Sequence, residues 1–194
     1  RSDMAYELGA DRFRLYALGG TALTDDPALV GDDEIILIGD DLPDIKEDCS
    51  YARIAFCRVD PHNMGEGNKL YNAIRKIEYT RYHVNPEGFM IRVSSVNERE
   101  CARVSKDAVK KGLDFKTVGN LMLREFKNNA KVEAVKLVFV TDPDFDFEFL
   151  SKELKKCELI TRTIDHILNN TNMDCESCSL QEICDEVEGM RQLH

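Results

Sequence analysis

Three cysteines near the end of the chain have a spacing that suits a metal site. Cys175, Cys178 and Cys184 form a C-x2-C-x5-C group, and thiolates at such spacings bind zinc or iron–sulfur clusters. Ser179 and Glu182 have the spacing of a capping box, so we expect a helix to begin there and to hold Cys184 in its second turn. The pattern predicts a shared metal or cluster with a fourth ligand from elsewhere. The alternative is three free thiols in a frayed tail.

The other cysteines and the histidines are candidates for that fourth ligand. Cys157 lies on the apolar stripe of a predicted helix and Cys57 alternates with apolar residues, so we expect both to be core thiols. Cys49 and Cys101 have polar neighbours and remain possible ligands. His194 is the last residue of the sequence, and chain termini are usually disordered. The remaining histidines have no neighbouring carboxylate or cysteine pattern that would make them catalytic, and we expect them to be surface histidines or histidines with satisfied hydrogen bonds: His62, His83 and His166.

The composition disfavours several classes of protein. A chain of 194 residues with 43% hydrophobic residues can fill a core in one domain or two small ones. A net charge of −10 disfavours nucleic acid as a partner, because phosphate backbones attract basic surfaces. No apolar run reaches the ~18 residues of a membrane helix, and the first residues lack a signal-peptide layout. Seven cysteines, clustered towards one end, indicate a reducing, cytoplasmic compartment rather than a disulfide framework.

Short apolar runs predict strands in the first half of the chain. Residues 13–18 and 34–39 are bounded by Asp, Gly or Pro, and residues 51–59 alternate in the way of a half-buried strand. Apolar residues at helical spacing predict a helix from about residue 64 to residue 82, with two glycines near its start. Residues 88–95 are expected to form a further strand.

In the second half of the chain, one clearly predicted strand has predicted helices before and after it. Ser105 is expected to cap a short helix that stops at Gly112, and Asp114 to begin the next helix. Residues 133–143 predict a buried strand, and a long helix is expected from about Asp146. Strands and helices thus interleave, which predicts an α/β fold, or α+β, with a mixed sheet flanked by helices.

The same pattern gives a prediction for domain organisation. Residues 1–168 hold the predicted strands and amphipathic helices, and a sub-boundary is possible near residues 84–104. Residues 169–194 are expected to form a helical, cysteine-rich tail that binds metal.

One segment is basic although the chain as a whole is acidic, and this segment is a second candidate site. Basic residues outnumber acidic ones between residues 99 and 136, and Arg99, Arg103 and Lys106 lie close together in this stretch. Such side chains can bind the phosphates of a nucleotide-like ligand. Residues 18–26 have neither the Walker spacing nor the dinucleotide fingerprint, so no glycine-rich phosphate loop accompanies them. The alternative is a solvated helix face.

Several segments, in order, resemble the central region of acetyl-CoA synthase, the β subunit of the carbon monoxide dehydrogenase/acetyl-CoA synthase complex. Residues 102–145 begin with the R-V-S-K stretch that opens a similar helix, helix, strand sequence in that family. Residues 3–11, 34–56 and 75–92 resemble it as well, in the same order. The resemblance covers roughly residues 3–145.

The resemblance implies a cluster and a ligand. In the family a cysteine-rich region holds a [4Fe–4S] cluster bridged to nickel-site metals, and Cys175 and Cys178 match its first two cysteines. Cys184 departs from the pattern, because the family's third cysteine follows a longer gap. The Cys-Gly-Cys tripeptide that holds the distal nickel is missing from the sequence. The family's central domain is also associated with coenzyme A, which implies that Arg99, Arg103 and Lys106 contact this cofactor.

The resemblance therefore implies a component of anaerobic one-carbon metabolism in the acetyl-CoA pathway. Its expected partners are carbon monoxide dehydrogenase or a corrinoid iron–sulfur protein. Without the complete nickel site we expect the chain not to be catalytic alone, and at most to be a subunit or domain of a CO-methylating acetyl-CoA synthase. The alternative is a non-catalytic iron–sulfur or zinc protein that serves as a binding or electron-transfer module.

Overall fold

Six strands within the described residues form one mixed β-sheet in the protein, which we describe from a computed structural model. The structure describes residues 11–81, 84, 86–93, 100–153 and 156. The strands are β1 (Arg12–Thr24), β2 (Glu34–Ile38), β3 (Cys49–Val59), β4 (Phe89–Val93), β5 (Glu100–Ser105) and β6 (Val132–Val140). The helices with both ends in the described residues are α1 (Pro61–Met64), α2 (Asn68–Thr80), α3 (Lys106–Lys110) and α4 (Phe115–Lys127).

The strand order within the sheet is β2-β6-β3-β1-β5-β4. The pairs β2/β6 and β1/β3 are parallel, and the pairs β3/β6, β1/β5 and β4/β5 are antiparallel. Parallel and antiparallel neighbours in one sheet, with helices packed on it, confirm the predicted α/β class with a mixed sheet.

The main core lies between the sheet and helix α4. Tyr51 of β3, Phe139 of β6 and Phe115 of α4 stack with ring centroids 4.9 to 6.3 Å apart, and all three are fully buried. Stacked aromatic rings bury large apolar areas and account for much of a core of this size. Gly119 lets α4 approach β2 closely, since a Cβ atom there would come within 2.8 Å of the Ile35 side chain.

The predicted helix signals in the second half are confirmed. The Ser105 hydroxyl accepts a hydrogen bond from the Ala108 N–H at the start of α3, and Gly112 follows that helix with a φ of 104°. The Asp114 carboxylate accepts from the Thr117 N–H at 2.6 Å and begins α4. Asp146 accepts from the Phe149 N–H at 2.8 Å, and residues 147–153 are helical.

Three details of the predicted elements were wrong or missing. The helix expected from residue 64 begins at Asn68, because Gly65 (φ 85°) and Gly67 (φ 53°) interrupt the chain after the short helix α1. Strand β5 was not predicted, although it joins β4 to β1 in the sheet. Strand β1 is also longer than expected and continues through its two glycines to Thr24. Among the described residues, no helix is long and apolar enough to cross a membrane.

Candidate functional site

The predicted metal ligands Cys175, Cys178 and Cys184 lie outside the residues that the structure describes, as does Arg99. The same holds for Cys157, His83, His166 and His194. Within the described part of the chain, no three His, Cys, Asp or Glu side chains come together in a way that could hold a metal ion. The metal site thus stays a prediction.

The three cysteines within the described residues are poor sources of thiolate. Cys57 is fully buried, which confirms it as a core thiol, and burial raises its pKa to about 12. Burial also raises the pKa of Cys49 and of Cys101. Cys49 pairs with Leu15 and Cys101 with Tyr16, so they project to opposite faces of the sheet. In the absence of a metal these thiols are protonated near neutral pH.

Arg103 lies in the middle of strand β5, on the sheet face that points away from the main core. Its neighbours in the strand, Ala102 and Val104, are buried in that core, and alternation along the strand turns Arg103 the other way. By the same alternation Arg12 and Arg14 of β1 share this face, because Phe13 and Leu15 point into the core. We call Arg12, Arg14 and Arg103 the arginine face.

The register brings two of these cations directly opposite each other. Arg14 pairs with Arg103 across the antiparallel β1/β5 ladder, while Arg12 pairs with Ser105. Side chains directly opposite in antiparallel strands have Cβ atoms about 4.5–5.5 Å apart, and like charges there are destabilising. A bound anion would relieve that repulsion.

Asp48 partly compensates this positive charge from the loop before β3. Its carboxylate accepts a hydrogen bond from the Arg14 backbone N–H at 2.8 Å and another from the Tyr16 hydroxyl at 3.3 Å. A hydrogen bond with Tyr16, and the charges of Tyr16 and Asp48, raise the pKa of the exposed Arg14 guanidinium. Arg14 is therefore held in its charged form beside a tyrosine ring that is 44% exposed.

Arg103 differs from Arg14 in having a buried nitrogen atom without a partner. No described residue accepts a hydrogen bond from its Nε atom, although that atom is buried. Buried polar atoms nearly always have a partner, so each exception requires an explanation. An anion that reaches this nitrogen would complete its hydrogen bonding.

Cys101 adds a thiol to the same face. Burial is the main cause that raises its pKa; the charges of Arg103 and Arg14 lower it in part, and the charge of Asp48 raises it. The thiol thus stays neutral near pH 7. It adds no negative charge between the two arginines.

Lys106 lies next to the arginine face but already has an acidic partner. It is the first residue of α3, and its ammonium group forms a 3.1 Å ion pair with Asp11. Further along α3, Lys110 is 3.4 Å from Asp107 and both side chains are largely exposed. This part of the basic stretch has the features of the solvated helix face that was the alternative prediction.

The sequence prediction missed Arg12, Arg14, Tyr16 and Asp48. The signal was present in the R-F-R-L-Y pattern, because alternation in a strand places its arginines and tyrosine on one face. The partner strand was not predicted, so nothing brought these residues to Arg103. The structure thus moves the centre of the candidate site from the helix to the sheet.

These features define an α/β protein with a mixed sheet, one face of which carries a cluster of arginines. A model of one protein family, the CO dehydrogenase/acetyl-CoA synthase complex beta subunit, matches residues 1–145. That match covers most of the 194 residues. The chain belongs to this family, as its resemblance predicted. A comparison with curated proteins found no match.

Proposed function

We propose that this chain is a component of the CO dehydrogenase/acetyl-CoA synthase system that binds coenzyme A at the arginine face. One observation carries the proposal: Arg14 and Arg103 lie directly opposite each other, and the Nε atom of Arg103 is buried without a described partner. Family membership supplies the pathway, and the chemistry of the face supplies the ligand class.

The residues present fit the anionic groups of coenzyme A. Its nucleotide end carries a pyrophosphate and a 3′-phosphate, and guanidinium groups bind phosphate oxygens through paired, charge-assisted hydrogen bonds. The exposed ring of Tyr16 lies on the same face and can stack against an adenine base. Asp48 orients Tyr16 and limits the net positive charge of the empty face.

Titration calorimetry with coenzyme A and with its dephosphorylated form tests this assignment. The change of Arg103 to alanine should weaken coenzyme A binding by about 1–3 kcal/mol, the scale of a hydrogen bond to a charged group. Arg124→Ala is the matched control, because Arg124 is an exposed arginine in the last turn of α4. Equal affinity in the wild-type and Arg103→Ala proteins would contradict the proposal, and so would an equal loss in both variants.

The proposal includes an iron–sulfur cluster in the cysteine-rich tail. Cys175, Cys178 and Cys184 supply three thiolates of the type that holds a [4Fe–4S] cluster, which would serve in electron transfer or support a bound metal centre. Cys57 is fully buried in the core, and Cys49 and Cys101 project to opposite faces of the sheet, which favours a fourth ligand from outside the described residues. Zinc is the alternative occupant.

Anaerobic purification with metal analysis and visible absorption separates these occupants. We expect a brown protein with about four irons in each cluster, and a colourless protein with zinc would support the structural alternative. Serine at Cys175, Cys178 or Cys184 should remove most of the metal, because the ligands act as one chelate. Cys101→Ser is the control and should keep the metal content. Full retention of metal in a tail variant would exclude that cysteine as a ligand.

The proposed role is binding rather than catalysis by this polypeptide alone. The 194 residues contain no Cys-Gly-Cys tripeptide, so we assign no nickel chemistry to them. The proposed partners are carbon monoxide dehydrogenase or a corrinoid iron–sulfur protein. The polypeptide alone should therefore form no acetyl-CoA from carbon monoxide, a methyl donor and coenzyme A, and a steady-state assay tests this.

A further inference from the structure

Strand β2 forms one edge of the sheet, and its outer side is open among the residues that the structure describes. Among the described strands, β2 pairs with β6 alone. The Ile38 carbonyl accepts hydrogen bonds from the Thr141 and Asp142 N–H groups on the β6 side. Because backbone groups in a strand alternate sides, the N–H and C=O groups of Ile35 and Leu37 face outward. An extended segment could pair with them.

A groove beside this edge offers room for side chains. It has a volume of about 390 Å³, and its apolar lining comes from Ile35 and Leu37 of β2 with Phe115 and Leu123 of α4. In strand addition, backbone hydrogen bonds supply affinity, while pockets for alternate side chains supply specificity. The groove and the open edge meet at the same two residues, Ile35 and Leu37.

Carboxylates stand at both ends of the strand. Asp32, Asp33 and Glu34 precede or begin β2, and Asp40 and Asp41 follow it. Some of these already have structural roles: Asp41 accepts from the Phe115 N–H, and Asp33 from the Val135 N–H. Asp32 and Asp40 are exposed and form no hydrogen bond or ion pair through their side chains within the described residues.

Charge decides which kind of segment fits. Asp33 and Glu34 are already paired with Lys127 and Lys136, each at 3.5 Å, so Asp32 and Asp40 carry the remaining acidic charge. A second copy of β2 would set its own Asp32 and Asp40 near these, and like charges across a strand pair are destabilising. Residues 157–194 hold more acidic than basic side chains, and residues 1–10 have no basic excess. The remaining ends of this chain are therefore disfavoured as well. A segment with lysine or arginine at both ends matches the edge.

We propose that the open edge of β2 binds an extended segment of a different protein, with alternating apolar residues between basic flanks. The segment adds a strand next to Ile35 and Leu37, places its apolar side chains in the groove, and pairs its basic ends with Asp32 and Asp40. Acidic flanks on a short edge strand also discourage self-association. They would thereby select the basic partner over a second copy of the chain.

The test uses the whole chain and a synthetic nine-residue peptide. The peptide has five alternating valine and threonine residues between two lysines at each end, and its control carries glutamates at the ends. Binding is followed by amide chemical shifts of the ¹⁵N-labelled protein. We expect saturable shifts centred on Ile35–Leu37 with the lysine peptide. The glutamate peptide should bind at least about tenfold more weakly, since two charge contacts are reversed.

Backbone methylation separates strand pairing from charge attraction. Two further peptides carry N-methyl groups on alternate central residues. One peptide is methylated at the odd positions of the central five residues and the other at the even positions. Only one set faces β2, so only one peptide should lose binding by about tenfold or more. Equal binding of both methylated peptides would overturn the proposal, and so would the absence of shifts at millimolar peptide.

Variants of the protein test whether the peptide binds at the edge of β2. The double change Asp32→Lys with Asp40→Lys should weaken binding of the lysine peptide by about tenfold and improve binding of the glutamate peptide. Glu66→Lys is the control, because this exposed carboxylate precedes α2 and does not line the groove. An equal loss in the control would show that the attraction depends only on net charge. That result would overturn the proposal.

Discussion

Arg103 is expected to lower the stability of the protein without a ligand and to stabilise the complex with a bound anion. Without an anion it lies opposite Arg14 and leaves a buried nitrogen atom without a described partner. Both features reduce stability. The residue is better explained by a ligand that the fold accommodates at a cost in stability.

The first prediction compares stability after loss of this charge. Arg103→Met keeps most of the apolar stem, and its free energy of unfolding should be unchanged or higher by up to about 1 kcal/mol. Arg58→Met is the matched control, because Arg58 donates to the Val30 and Gly31 carbonyl oxygens and pairs with Glu133. It should lose about 2 kcal/mol. Urea denaturation measures both, and a loss above 1 kcal/mol in Arg103→Met would make Arg103 a structural residue.

The second prediction concerns Cys57 and alkaline pH. Burial raises the pKa of Cys57 from 9.0 to about 12, so the unfolded chain releases this proton at lower pH than the folded chain. The stability that Cys57 contributes is present below pH 9 and is lost as the pH rises towards 12. Between pH 8 and pH 10 the loss should be about 1.4 kcal/mol.

The alanine variant isolates this contribution from other groups that titrate in the same range. Cys57→Ala should show a shallower decline of stability between pH 8 and pH 10, by about 1.4 kcal/mol, although it is less stable at pH 7. Thermal or urea unfolding at each pH gives the comparison. Parallel declines in the two proteins would mean that Cys57 does not cause the loss.

At the scale of elements, the sequence predicted the features that depend on residues close together in the chain. The caps at Ser105 and Asp114 and the alternation in β3 depend on neighbours in the chain. Strand β5 gave a weak local signal, because its inward positions hold only Ala102 and Val104 between polar residues. Its position is determined by pairing with β1, which lies far away in the sequence. Such pairing is a tertiary property that no local pattern specifies.

A third prediction tests how β4 and β5 are held against α3. Gly88 has a φ of 82°, and a Cβ atom there would come within 2.1 Å of the Ala108 side chain. Gly112 has a φ of 104° but open space around it. Gly112→Ala should therefore cost about 1–2 kcal/mol from backbone strain alone.

Gly88→Ala should lower the free energy of unfolding by about 1–3 kcal/mol more than Gly112→Ala does, because its new methyl group overpacks against α3. Circular dichroism with urea gives both values, and Gly112→Ala serves as the control for strain without contact. Equal losses in the two variants would contradict the packing of α3 against the turn before β4.

At the scale of the whole molecule, the described residues supply an extensive core of their own. Its members run from Phe13 to Phe139, and they pack the sheet against helices α2 and α4. A core of this extent can fold without a metal, unlike the small zinc fingers that unfold when the ion is removed.

The fourth prediction follows from the extent of that core. A chain that ends at Asn172 should still show a single cooperative thermal transition and native-like near-UV circular dichroism. The full chain with its metal removed by chelation is the control and should melt in the same way. A truncated protein that is molten or insoluble would show that the tail belongs to the core.

The candidate site was only partly predictable for the same physical reason as the fold. Arg103 stood out by charge in the sequence, and its family resemblance implied coenzyme A. The second cation, Arg14, required knowledge of the β1/β5 register. The unpartnered Nε atom required the packing around it. Charge is visible in a sequence, whereas proximity between distant strands is a property of the assembled sheet.

The Nε–H signal of Arg103 offers the most direct test of the central claim that the arginine face binds coenzyme A. Proton–nitrogen spectra of the labelled protein, titrated with coenzyme A, should show a saturable downfield shift of this signal as a phosphate oxygen accepts its hydrogen bond. The Nε–H signal of Arg124 should stay in place, and inorganic sulfate at the same ionic strength controls for salt. If the Arg103 signal does not move at millimolar coenzyme A, or moves equally with sulfate, the claim is contradicted.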